Sequence, residues 1–427
     1  MNRTKNHGSS WLVLFLMCSL TCCIGACGRT QLAPRTETRS LQFEPAARSM
    51  LAISGISPMR HPKLGVDPVS SNGIYMLAVL GKDDSSRLAL LNSKDGGDSF
   101  ERPVWISEPG AVNSHGENSP TLIVTPEVMY AAWNQGGDIR LARSLSWGGS
   151  FEKPVHISDR PEKAFSGYVN IGVAPNGDVY AVWLDTREST PSEDVYSIYF
   201  ARSTNKGATF GRNIKVADHV CECCRPNVSF GPNNEVLVFY RNILPGSIRD
   251  MTVAVTRDGG NTFSAPVRIA EDNWKLEGCP DSGIALARSG NRLYAAWFTE
   301  ASPSVDGVRL TWSDDAGKTW APAVLASQKV LDANYPALST AADGRVDLIF
   351  QGRDPQKQAG WSTTSAFLVE INKGGLLSAP IEIPGTAAAV VRPAVVAGVN
   401  GRVFTAWTAT ADEKQTVFLS RARHPTL

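Results

Sequence analysis

An eight-residue pattern, repeated along the chain, constrains the fold more than any other feature. At Ser313–Trp320 it reads SDDAGKTW. It returns as SKDGGDSF at Ser93–Phe100, as STNKGATF at Ser203–Phe210 and as TRDGGNTF at Thr256–Phe263. A degenerate copy without the acid, SLSWGGSF, occupies Ser144–Phe151. Every position has a role in a tight turn between two strands. Short polar side chains accept backbone N–H groups within the turn, glycine at the fifth position supplies a positive φ, and the terminal aromatic leaves the turn to be buried. Such a pattern at regular spacing marks a repeat protein, one supersecondary unit used many times.

The rest of the unit follows from the segments around these turns. A strand rich in β-branched and aromatic residues recurs as VMYAAW at Val128–Trp133, DVYAVW at Asp178–Trp183, RLYAAW at Arg292–Trp297 and RVFTAW at Arg402–Trp407. Less regular versions begin at Gly73, Glu235 and Arg345. A third strand follows each; in five of the units the octet comes next, and then a fourth strand opened by the octet's aromatic. Seven such units succeed one another at roughly 50 to 57 residues, a blade-length period. The expected fold class is therefore all-β: a β-propeller of four-stranded antiparallel blades, seven in number with six as the alternative. The seventh unit ends at Thr416–Ser420 with no octet and no fourth strand, so Ser49–Ser54 is expected to supply that strand and close the ring between the two ends of the chain.

Composition sets the function classes. There are 42 basic and 41 acidic side chains, a formal net charge of +1, which gives no support for a nucleic-acid partner. Arg3 and Lys5 precede an apolar run from Trp11 to Leu20, too short to span a bilayer comfortably. Residues 1–26 read as a signal peptide. Ile24–Cys27 (IGAC) resembles a bacterial lipobox, with Cys27 as the lipidated first residue of the mature protein. The expected organisation is a signal at 1–26, a tether at 27–48 and the propeller at 49–427, lipid-anchored in the bacterial cell envelope.

The octets resemble the Asp box, or BNR repeat, of the sialidase superfamily, whose own propellers have six blades. In a blade of strands a to d, the octet is the c–d turn and lies on the face opposite the start of strand a. Residues entering strand a converge on the central channel. Aligned on a recurrent proline, they include Arg60, His61, Arg225, Tyr335 and Arg392. Guanidinium forks match carboxylates, so the set suits an anionic ligand. The resemblance implies an arginine triad for a substrate carboxylate, a tyrosine nucleophile at Tyr335 and an acid at Asp83 or Asp84 in the first b–c loop. Two departures from the pattern stand out: Cys279 occupies a position where an arginine is expected, and no glutamate is clearly placed as the tyrosine's base. The expected function is recognition of a glycan or small anionic ligand at the channel mouth, with exo-glycosidase chemistry as its extension. The alternatives are a non-catalytic envelope binding module and a metal or redox site built on cysteines.

Those cysteines are Cys221, Cys223, Cys224 and Cys279. In an oxidising compartment they are expected to form at least one disulfide, Cys224 or a neighbour with Cys279. The alternative is a soft-metal site for Cu or Zn with His219 as a further ligand; no cofactor is otherwise expected. Trp274 is either a sugar-stacking platform or a cover for the disulfide.

Overall fold

The computed structural model describes residues 41–424 except 45–46, 51–53, 57, 71, 114, 160–163, 358–363, 387–388 and 412–413. The lipobox cysteine, Cys27, lies outside the described residues. Within them, seven antiparallel sheets follow one another along the chain as the blades of a propeller. The innermost strands are Met59–Val66, Thr121–Val124, Ser166–Val173, Asn227–Phe230, Ile284–Ser289, Leu331–Thr340 and Val391–Ala397. The six-blade alternative falls: each of the seven sequence units forms its own blade.

The recurrent Tyr-Ala-Ala-Trp strand explains why the ring holds. Each second strand is buried on both faces, as in Met129–Gln135 and Val179–Asp185, so alternate side chains enter two different cores. Tyr130 packs with blade 3, whereas Trp133 packs with blade 1. Trp183 and Tyr180 repeat this one blade on, as do Trp297 with Tyr294 and Trp407 with Phe404. One core forms between each pair of neighbouring blades, including blades 7 and 1.

The octets sit at the expected c–d turns. In blade 5, Ser313 Oγ accepts the Gly317 N–H at 2.7 Å and donates to Asp315 Oδ1 at 2.8 Å, while Asp315 accepts the Thr319 hydroxyl at 2.6 Å and its N–H at 2.9 Å. Those Thr319 bonds hold the Asp315 carboxyl at about 2, below the usual range. Glycine is required at the fifth position for two reasons. Gly317 has φ of +84° and a Cβ there would stand 2.5 Å from Leu237 of blade 4; Gly260 has φ of +100° and would meet Phe200 of blade 3 at 2.3 Å. Each turn therefore locks its blade against the preceding one. Ser313→Ala is expected to lower stability by about 1–2 kcal/mol, read from urea midpoints, because a buried N–H loses its acceptor. An unchanged midpoint would show that the turn is held by other contacts.

Ring closure differs from expectation in its register. The strand Lys414–Arg423 pairs with Gln42–Phe43 and Arg48–Ser49, so of the expected closing segment Ser49 takes part, preceded by residues nearer the N-terminus. Gln42, Phe43 and Arg48 thus lie within the stretch expected to be tether. Met50 instead turns inward and is fully buried in the core between blades 7 and 1. Arg48 pairs with Asp98 at 2.9 Å and Arg421 Nη1 donates to the Gly96 carbonyl at 3.0 Å, tying the closing strands to the first octet.

Candidate functional site

The innermost strands surround a cavity of about 270 Å³, lined from all seven blades. Its charged and phenolic lining residues are Lys63, Glu117, Arg225, Tyr335 and Arg392. The start of each innermost strand and the octets lie at opposite ends of a blade: Met59 pairs with Leu80 and Leu80 with Arg87, while Val66 pairs with Ile74 and Ile74 with the octet residue Ser93.

The backbone at the strand entrances is built to aim side chains. His61, Tyr335 and Arg392, each followed by proline, have φ of +53°, +53° and +49°. Non-glycine residues adopt this region at a cost, and such strain persists where surrounding contacts hold it. Here the preceding blade does so: the His61 N–H donates to Thr408 Oγ1 at 3.0 Å and the Arg392 N–H to Gln351 Oε1 at 2.8 Å. The Tyr335 N–H donates to its neighbour Asn334 at 2.7 Å. In all three blades the strand register shifts at this point, so a bulge turns successive side chains toward the channel.

The electrostatics are those of a partly neutralised cationic site. Arg392 pairs with Asp281, lies 4.4 Å from the Tyr335 ring centre and places Nη2 3.4 Å from the Tyr335 hydroxyl. Its Nε is buried and finds no partner among the described residues. Arg225 is buried and largely committed to backbone: Nε donates to the Glu117 carbonyl at 2.8 Å, and Nη2 reaches the Glu117 and Ser119 carbonyls and, at 3.1 Å, Ser119 Oγ. Glu117 in turn accepts the Gly283 N–H at 3.2 Å. Burial lowers His61 to about 3, helped by Arg392, Lys63, Arg60 and Arg225. Burial also brings Lys63 down to about 7, with Arg225 and Arg392 adding to the fall and Glu117 opposing it.

Of the residues predicted from sequence, Arg225, Tyr335 and Arg392 line one cavity. His61 is buried beside the same cations, whereas Arg60 donates to the Gly81 carbonyl at 3.2 Å and is not among the cavity-lining residues. Asp84, on the 3-10 turn Asp83–Ser85, is exposed and does not line the cavity; the side chain of Asp83 lies outside the described residues. The sequence places no clear base for Tyr335. No carboxylate among the described residues accepts its hydroxyl, and burial raises its pKa, with Asp281 and Glu117 adding to the rise against Arg392. Lys63 and Glu117 were not foreseen. Lys63 directly follows the recurrent proline of blade 1, where the bulge carries it into the channel, and Glu117 stands three residues before the proline of blade 2.

Of the expected pairings, Cys224 or a neighbour with Cys279, the structure has the neighbour: Cys223, not Cys224, joins Cys279, with Cα atoms 6.2 Å apart. Cys224 is buried and lies with its Sγ 3.0 Å from Cys221 instead. Trp274 is not a stacking platform: it is 4% exposed, packed edge-on against Phe298 at 5.4 Å, with the Arg241 guanidinium 5.1 Å from its ring centre. His219 is exposed and faces Asp218 and Glu193 at 3.4 and 3.3 Å, outside the thiol cluster of Cys221, Cys223 and Cys224.

Seven blades, five of them carrying Asp-box turns, around a cationic channel define a sialidase-like β-propeller. The profile of the BNR repeat-like domain matches residues 121–348, more than half of the 427 residues, and the chain belongs to that family. No curated protein matches the chain. Among solved structures, a protein of unknown function from Dyadobacter fermentans DSM 18053 is 16% identical, covering 90% of this chain and 100% of its own, with a TM-score of 0.48. The polysaccharide lyase Uly1 is 13% identical over 92% of this chain and 94% of its own, with a TM-score of 0.49. The NanB sialidase from Streptococcus pneumoniae is 12% identical over 92% and 71%, with a TM-score of 0.42.

Proposed function

We propose that this propeller binds a carboxylated saccharide in its channel and holds it without cleaving the glycosidic bond. The observation that carries this reading is the charge of the cavity: Lys63, Arg225 and Arg392 line it against the carboxylate of Glu117, with Asp281 paired to Arg392. The free Nε of Arg392 offers a donor to an incoming carboxylate, and the Tyr335 ring and Leu64, Leu122 and Leu286 offer apolar walls to a sugar face. Hydrolysis by a tyrosine needs a partner that removes its proton, and Tyr335 faces a guanidinium, with its pKa raised.

The test is calorimetric titration of uronic acids and sialosides against their neutral counterparts, with product release followed in parallel. Binding is expected only for the carboxylated sugars, weakening on the order of tenfold or more in Arg392→Met, with no free sugar released. Equal affinity for neutral sugars would overturn the carboxylate assignment; turnover abolished by Tyr335→Phe would overturn the non-catalytic one. Affinity is also expected to fall as pH rises through about 7, where Lys63 loses its positive charge. A flat profile between pH 6 and 8 would remove Lys63 from the site.

A further inference from the structure

The cysteine cluster lies outside that reading and has a chemistry of its own. Cys221 and Cys224, a Cys-x-x-Cys pair, are buried free thiols with Sγ atoms 3.0 Å apart. Cys221 Sγ is 3.9 Å from Cys223 Sγ, which belongs to the disulfide with Cys279. The other end of that disulfide, Cys279, is exposed. Sulfur atoms therefore run in close succession from a buried dithiol to the surface. Arg249 Nη1 donates to Cys221 Sγ at 3.3 Å while also pairing with Glu222 at 2.8 Å, so a cation sits against one sulfur of the buried pair.

We propose that the four cysteines form a thiol–disulfide exchange site, in which Cys279 meets an external disulfide and the buried pair Cys221 and Cys224 supplies the electrons through Cys223. Cys221 as thiolate attacks Cys223 Sγ; the Cys221–Cys223 bond forms as Cys223–Cys279 breaks, and Cys279 leaves as a thiolate. Cys224 as thiolate then attacks Cys221 Sγ, forming Cys221–Cys224 and releasing Cys223 as a thiolate. The two protons given up by Cys221 and Cys224 are taken up by Cys279 and Cys223, so this isomerisation needs no outside oxidant. The Cys223 and Cys279 thiols next reduce an external disulfide to two thiols and re-form their own bond. The environment favours Cys221 as the first nucleophile. The hydrogen bond between Cys221 and Cys224, with Arg241 and Arg249, holds the Cys221 pKa below the usual thiol value against burial, whereas burial and Cys221 push Cys224 well above it. A purely structural bridge would not need a second, unbonded thiol pair beside it.

The test is native alkylation of the full chain, poised in glutathione buffer, followed by unfolding and peptide mapping by mass spectrometry. Two isomers are expected: Cys223–Cys279 with Cys221 and Cys224 as thiols, and Cys221–Cys224 with Cys279 alkylated in the native state. Oxidised glutathione is expected to convert both to the two-disulfide form with release of two reduced glutathiones per chain. That reaction is lost in Cys279→Ser, and Cys224→Ser accumulates Cys279 joined to glutathione. Recovery of the first isomer alone at every poise, with Cys221 and Cys224 never oxidised, would overturn the proposal. So would a metal bound stoichiometrically to the thiols, or a Cys279→Ser variant as reactive as the parent. Urea midpoints establish that the variants are folded; if either is not, the isomers mapped in the unsubstituted chain decide alone.

Discussion

Arg225→Met is expected to lower the stability of the propeller by about 3–5 kcal/mol, whereas Arg392→Met leaves the urea midpoint within about 1 kcal/mol of the parent and acts on ligand binding. The two arginines enter the same cavity by equivalent strands, but their hydrogen-bond partners separate them. Arg225 satisfies the carbonyls of Glu117 and Ser119 and the Ser119 hydroxyl from a buried position, so a thioether of similar length would leave three acceptors without donors. Those acceptors form the entrance to the innermost strand of blade 2, whereas Arg225 belongs to blade 4. Arg392 is tied to one carboxylate at a partly open site and retains an unpartnered Nε. Its removal frees Asp281 to water rather than stranding it. Tryptophan fluorescence in urea, run beside the saccharide titration, separates the two effects. Equal destabilisation by both substitutions would contradict the division of labour drawn from their contacts.

The repeat made much of this architecture legible. A Tyr-Ala-Ala-Trp strand with no polar face has to be buried on both sides, and sheets packed side by side around an axis meet that demand. The Asp-box octet fixed the strand order, and the order brought Arg225, Tyr335 and Arg392 to one channel. What escaped sequence reasoning lies where the chain departs from a two-residue period. The bulges after Arg60 and Asn334 reverse the facing of the residues beyond them, which brings Lys63 into the cavity. Cys-x-Cys-Cys offers three sulfurs within a few ångströms, and only the local backbone direction selects Cys223 over Cys224 for Cys279. Trp274 resembled a platform because an exposed ring and one covering a buried guanidinium have the same letter; Arg241, donating to the carbonyls of Arg249, Ser282 and Phe298, is what the ring covers.

The junction between blades 6 and 7 is expected to weaken as the solution becomes alkaline, because of one histidine. His424 follows the last strand and is 5% exposed, with Nε2 3.2 Å from Asp347 Oδ1 and Nδ1 against Glu370. Asp347 is wholly buried on the second strand of blade 6, and the imidazolium is the cation placed against its carboxyl group. Burial alone would lower the pKa of His424, but the hydrogen bonds to Asp347 and Glu370 raise it from 6.5 to about 9. A folded pKa above the unfolded one means that protonation favours the folded state. The contribution is complete below pH 6.5, declines above it and is gone once the pH has passed about 9; the shift corresponds to about 3 kcal/mol. Urea midpoints measured from pH 6 to 10 are expected to fall over that window in the parent and to fall much less in His424→Gln, whose amide cannot titrate. The difference between the two curves isolates this residue from the other groups that titrate in the range. Parallel curves would show that Asp347 and Glu370 are held by partners other than the protonated ring.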